Sequence, residues 1–242
     1  ALDVLTGYHA ADMYSAPFPP QHFLENLQKD LKGLRIAFSK DLGYAEVDPE
    51  VVRNFEEGLK AFESLGCTLV EATPDVSDAR KIFQGVMFVE AVGSDLQFVN
   101  EDGTSKMSKD LTTFIIKRKD ILARDYMDAM TRRQALYGRV HAFFEGYDLL
   151  LSPTMAIPPF KHPKTMADYP HEVHGKEVSS TGWHPFTFPF NLTGQPAATV
   201  PCGFSNAGLP IGLQIVGRKF EDLLVMQASA QYESAKPWAH LK

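Results

Sequence analysis

Residues 34–74 narrow the choice of fold more than any other stretch: an alternating run LRIAFS, an amphipathic segment, then a second extended run CTLVEATP. In the first run Leu34, Ile36 and Phe38 alternate with Arg35, Ala37 and Ser39, the period of a strand with one buried face. Asp48 and Pro49 supply a helix N-cap and a first helical position. Val51, Phe55, Leu59 and Phe62 then share one helical face, and Gly66 stops the helix. Strand, helix and strand at this spacing predict a βαβ unit, with parallel pairing and a right-handed crossover. The class is α/β.

The remaining chain is consistent with that class. YSAPFPPQHF (14–23) is a proline-rich connector. From Asp75 to Tyr147 the pattern is mostly helical, broken at NEDGTSKMS (100–108). The last helix carries Leu136, Val140, Phe143, Phe144 and Tyr147 as an apolar stripe. YDLLLSPT (147–154) is a short apolar strand, buried on both faces if it is central. Residues 155–184 read as one long loop, too polar and proline-rich for regular structure, and such loops are usually functional. FPFNLTGQPAATVPCGFSNAGLPIGLQIVG (188–217) reads as a loop, NLTGQPA, followed by two strands joined at Asn206-Ala207-Gly208. A final helix is predicted from Asp222 to Ser234.

Composition excludes several partners. The chain has 242 residues, 44% hydrophobic and 22% charged, which is ordinary for a globular domain. A chain of this length can bury roughly 70–75% of its unfolded surface, in one large domain or two small ones. A formal charge of −6, with no basic run longer than Lys117-Arg118-Lys119, argues against nucleic acid or an anionic membrane as partner. No apolar run approaches the roughly 18 residues of a membrane span, and no leader pattern opens the sequence. Cys67 and Cys202 read as reduced core residues. The expectation is a soluble, cytoplasmic protein. The opening ALDVLTGYHAAD has no methionine and sets Leu2 and Leu5 at helical spacing, the pattern of a helix that begins elsewhere. It is read either as a trimmed or processed terminus or as the start of the back half of a longer protein.

Residues able to carry chemistry are sparse. There is no G-x-S-x-G; the nearest approach, Gly203 to Ala207 around Ser205, leads into a hairpin turn rather than a strand-to-helix elbow. No serine has a lysine three residues on. His171 and His174, with His162 and His184 nearby, invite a zinc reading, but their spacing of three in a loop suits surface histidines better, and no metal site is assigned. No glycine-rich phosphate or dinucleotide motif is present, and no cofactor is expected. Carboxylates such as Glu56 and Glu57, or Asp110 and Asp120, fall on helical faces as solvated charge. What remains is a pocket-shaped loop in which Asn191, Thr193 and Gln195 can hydrogen-bond a neutral ligand and Gly194 allows close backbone approach.

YDLLLSPT, then FTFPFNLTGQPAATVPCG, then GLPIGLQIVGRKFEDLLVMQASAQYE resemble the closing motifs of the amidase signature family, while LRIAFSKDLGYAEVDPEV and GCTLVEATP resemble its middle segment. The resemblance covers nearly the whole chain in order. It implies a mixed β-sheet flanked by helices, with residues 1–242 forming the C-terminal portion of a single domain and 155–187 the substrate-pocket loop. It implies hydrolysis of amides by a serine activated by a second serine and a lysine, through an acyl-enzyme with backbone N–H groups at the oxyanion. Those catalytic residues belong to motifs upstream of anything present here, so no catalytic residue is assigned within this chain, and the chain alone is expected to be inactive. In the complete enzyme Thr154, Trp183, Phe188, Asn191 and Thr193 are expected near substrate, because the loop after the strand YDLLLSPT and the NLTGQPA loop are expected to face one cavity.

Three readings stay open: part of an amidohydrolase acting on a small-molecule amide; the A-type glutaminase component of an aminoacyl-tRNA amidotransferase; and a non-catalytic module that keeps the fold. The expected partners are the N-terminal half of the same enzyme and, as a further candidate, a second copy in a homodimer.

Overall fold

A computed structural model describes residues 1–238 apart from Ala16, Phe18 and Pro20, so the proline-rich connector at 14–23 lies partly outside the described residues. The helices are α1 Leu2–Leu5, α2 Pro49–Ser64, α3 Ala79–Asp95, α4 Lys109–Ile116, α5 Ala123–Phe144, α6 Phe188–Thr193 and α7 Asp222–Ala235. The strands are β1 Arg35–Phe38, β2 Thr68–Glu71, β3 Leu149–Pro153, β4 Glu172–Val173, β5 Lys176–Glu177, β6 Ala197–Phe204 and β7 Pro210–Gly217.

A five-stranded mixed sheet has the order β2-β1-β3-β7-β6. β1 pairs in parallel with β2 and β3, whereas β7 runs antiparallel to both β3 and β6. The βαβ unit forms as its caps dictate: Asp48 accepts the Glu50 N–H, Pro49 occupies the first turn, and Gly66 takes up a left-handed φ of 77° just past the helix. β3 lies at the centre and every one of its residues is buried. Asn206 to Gly208 turn β6 into β7, with Gly208 at φ 75°.

Helices cover both faces. Ile36, Leu149, Leu151, Leu213 and Ile215 pack beneath α2 and α7, while Ala37, Leu150 and Val216 pack beneath α3, α5 and α6. The expectation that β1 has one buried face is therefore corrected: Ala37 is fully buried and Ser39 nearly so, because helices from later in the chain cover the second face. The apolar stripe of the last predicted helix sinks as expected at Leu136, Val140 and Phe144, with Phe143 and Tyr147 half-buried.

Two further expectations change. NLTGQPA is not a loop throughout: Asn191, Leu192 and Thr193 form the last turn of α6, which Gly194 ends at φ 74°. Pro189 in its first turn and glycine after its last are the usual signs of a helix, and Arg133 donates to the Leu192 carbonyl at 2.6 Å, satisfying the open end. The long loop also contains structure, a two-stranded hairpin of β4 and β5 turned by His174 and Gly175, both at positive φ. Among the described residues no helix is long and apolar enough to cross a membrane.

Candidate substrate pocket

Parallel strands aim their carboxyl ends at one edge of a sheet, where ligands of open α/β folds collect. Here that edge carries Ser39 after β1, Thr73 after β2 and Thr154 after β3. The Ser39 and Thr73 hydroxyls are 2.7 Å apart. The Thr154 N–H donates to the Gly212 carbonyl at 2.9 Å, and its hydroxyl lies 3.2 Å from that of Thr199. Gly212 has to be glycine, since a Cβ there would sit 2.8 Å from the Thr154 hydroxyl and 2.8 Å from the Thr199 methyl.

From this edge the long loop departs and returns, and its two ends are fastened together. The Ala156 N–H donates to the Trp183 carbonyl at 3.1 Å, and the Ala156 carbonyl accepts from the Asp48 N–H at 2.8 Å. Buried Gln214 on β7 then holds the returning chain, donating to the Phe186 carbonyl at 3.0 Å and to the Ser152 hydroxyl at 3.1 Å. Trp183 is thus tied to the sheet through its own backbone. Its ring stacks on Tyr169 at 5.6 Å and takes the edge of Phe160 at 5.3 Å, while its indole N–H donates to the Ser180 carbonyl at 3.1 Å.

Between this aromatic group and helices α3 and α4 lies a cavity of about 450 Å³, walled by Phe83, Met87 and Phe88 of α3, Phe114 of α4, and Tyr169 and Trp183 of the loop. Arg118 and His184 also face it. The His184 ring is 4.3 Å from Trp183 and 6.0 Å from Phe188, and burial holds its pKa below the usual value of 6.5. Neutral imidazole is its resting state there. Beside it, the Tyr44 hydroxyl donates to the Pro185 carbonyl, and burial drives its ionisation well above the normal range.

The five residues expected at the substrate do not share one cavity. Trp183 lines the 450 Å³ cavity. Phe188 is buried, stacks on Phe83 at 5.1 Å, and lines a neighbouring space of about 330 Å³ with Tyr44 and Arg80. Thr154 is buried at the sheet edge. Thr193 is buried at the far end of α6, its hydroxyl lies 2.9 Å from the Pro189 carbonyl and against the Gln195 side chain, and it borders a third space with Arg133 and Lys219. Asn191 is exposed.

Sheet register gives the reason. Ala197 pairs with Val216, which pairs with Leu150 near the start of β3, whereas Thr154 follows the end of β3. The NLTGQPA segment and the loop after YDLLLSPT therefore leave opposite edges of the sheet, and the shared-cavity expectation is corrected. Sequence reasoning missed Phe83, Met87, Phe88, Phe114, Arg118 and Tyr169. One signal was present: α3 is apolar on two sides, with Ile82 and Val86 in the core and Phe83, Met87 and Phe88 only half-buried.

His162, His171 and His174 are exposed, and among the described residues no three His, Cys, Asp or Glu side chains converge as a metal site would need. The two thiols are free; burial pushes Cys67 up to about 11 and Cys202 up to about 12, which makes both poor nucleophiles.

The amidase family profile matches residues 1–226. An acylamidase of Rhodococcus erythropolis is 31% identical over all of this chain, covering 50% of its own length. The A-type component of the glutamyl-tRNA(Gln) amidotransferase of Thermodesulfovibrio yellowstonii is 28% identical over all of this chain and 53% of its own length. The crystal structure of a bacterial aryl acylamidase of the amidase signature enzymes superposes with a TM-score of 0.86 over 97% of this chain and 50% of that one, at 24% identity, a likeness of fold. The chain spans about half the length of the curated relatives it matches.

Proposed function

This chain belongs to the amidase family, and from that premise we propose that it is the C-terminal part of an amidohydrolase cleaving carboxylic amide C–N bonds through an acyl-serine intermediate. Its 242 residues form one portion of a single domain, supplying the sheet and, through residues 155–187, the wall of the substrate pocket. The activated serine, second serine and lysine that the family uses lie outside these residues in this reading. The observation that carries the pocket assignment is the aromatic cavity of about 450 Å³, whose loop wall is anchored at both ends to the sheet edge. A substrate group buried there loses water and is held in one orientation, so binding energy is available to align the amide with the nucleophile.

Within that reading Trp183 and Phe188 supply apolar area, Thr154 fixes the departure of the loop, and Thr193 and Asn191 brace the segment that meets the catalytic half. The substrate is a small-molecule amide, the location is cytoplasmic, and no cofactor takes part. Treating the full-length protein with a fluorophosphonate probe and mapping the adduct tests this. The expected adduct is on a serine outside residues 1–242, with loss of aryl-amide hydrolysis, and the 242-residue chain alone has no turnover. A labelled serine within this chain that supports turnover would contradict the reading.

The amidotransferase relatives favour a second reading, a glutaminase component that hands ammonia to a partner. Hydrolysis of free glutamine that requires partner proteins selects it.

A further inference from the structure

The pocket has an uneven chemistry. Its walls are mostly aromatic, with Gln84, Ser180 and Thr181 as neutral polar members, yet one permanent cation, Arg118, stands among them, and none of the described residues lining the space is acidic. The Arg118 guanidinium carbon lies 4.3 Å from the ring centre of Phe88 and 4.0 Å from that of Phe114. Those two rings meet edge to face at 5.4 Å. One Arg118 N–H donates to the Phe114 carbonyl at 3.3 Å. A guanidinium carries five donors, so this contact leaves most of them unused. Among the described residues Arg118 has no carboxylate partner, in contrast with Arg132 and Arg139, which pair with Asp128 and Asp78.

A cation held over two ring faces, without an acid of its own, is positioned for an incoming anion. The two rings hold the guanidinium in place, which lowers the ordering cost of a two-pronged contact. We infer that this cavity takes an apolar, ring-bearing ligand ending in a carboxylate, with Arg118 pairing to the carboxylate and the ring seated among Phe83, Tyr169 and Trp183. One guanidinium fork matches the two oxygens of a carboxylate, and a carboxylate fits better than a phosphate because among the described residues no second permanent cation lines the cavity to balance a dianion. The hydroxyls of Ser180 and Thr181 on the loop side can donate to the amide of such a substrate. This inference rests on the functional reading of the same pocket and names its substrate class: an amide whose aryl part bears a carboxylate.

The test is calorimetric titration of the full-length protein with 4-phenylbutanoate and with its neutral counterpart, 4-phenylbutanamide. The acid should bind about tenfold tighter, the scale of a partly buried charge-assisted pair. Arg118→Met should abolish that preference and leave the affinity for the amide within about twofold. Equal binding of acid and amide by the wild type, binding of neither, or a preference that survives Arg118→Met would each overturn the inference. If Arg118→Met does not fold, Arg118→Lys carries the test: it keeps the charge and loses the fork, so the preference should shrink, and an unchanged preference overturns the inference. Binding is read here without turnover, so a protein that shows the preference but cleaves no amide sinks the functional reading and the amide substrate class with it, and leaves the pairing of Arg118 with a carboxylate standing.

Discussion

The two faces of the central sheet are covered in different ways. Beneath α2 and α7 the packing is closed: Phe55, Phe62 and Tyr232 are essentially fully buried, and the Phe62 and Tyr232 rings meet at 5.2 Å. Gly58 of α2 shows how tight this is, since a Cβ there would lie 2.9 Å from the Cys202 Cβ and 3.1 Å from Leu213. The opposite face is equally dry against the strands, with Ala37, Leu150, Phe186 and Phe190 buried. Farther out, however, its aromatic rings stack on one another and not on the sheet, and they leave the 450 Å³ cavity between α3, α4 and the loop. Phenylalanine thus does two jobs in one molecule. On the closed face it fills volume for stability, and on the open face it forms a wall that a ligand can complete.

The largest effect should come from breaking the closed face. Phe62→Ala should lower stability by about 3–5 kcal/mol, the range for a fully buried aromatic. Phe88→Ala on the half-buried wall should cost under about 1.5 kcal/mol, because the site is already open on one side. Urea denaturation of both variants checks this, and equal losses would erase the distinction between the faces.

A change at α6 sharpens the contrast from the functional side. Asn191 is exposed, and its backbone N–H donates to the Thr187 carbonyl. Asn191→Ala in the full-length enzyme should cut kcat on the order of tenfold, about 1.4 kcal/mol of barrier, with a melting temperature near that of the wild type. A normal kcat would remove Asn191 from the bracing role.

The smallest expected effect is one of pH. Burial lowers the His184 pKa below 6.5, so the folded state disfavours imidazolium more than the unfolded chain does. The stability that neutral His184 contributes is fully present above 6.5 and is lost as pH falls through its lowered folded pKa. Melting curves of wild type and His184→Gln from neutral to mildly acidic pH should differ in slope, with the wild type losing more. Parallel slopes would show that His184 is not buried as described.

What the sequence disclosed follows from the range of its signals. The βαβ unit, β3, the β6–β7 hairpin and α7 were legible because alternation, caps and turn glycines act over a few neighbouring residues. α6 was not, since Phe188–Thr193 is too short to show a helical period and its buried residues surround most of the helix. The second covered face of β1 was also hidden, because Ala37 is buried by helices far along the chain. The pocket was half legible. Trp183 stands in a loop whose length and prolines marked it, but Phe83, Phe88, Phe114 and Arg118 sit in ordinary-looking helical sequence and meet Trp183 only through tertiary packing.

The central claim, that the open face is the substrate face, rests most directly on Trp183. The measurement is kcat/KM of the full-length enzyme and of Trp183→Ala over a series of amides graded from small aliphatic to bulky aryl. The account predicts that the substitution reorders the series, with aryl amides losing most and the best remaining substrate keeping nearly its full turnover. A uniform loss across every amide would contradict it, and would make Trp183 a packing residue of the long loop.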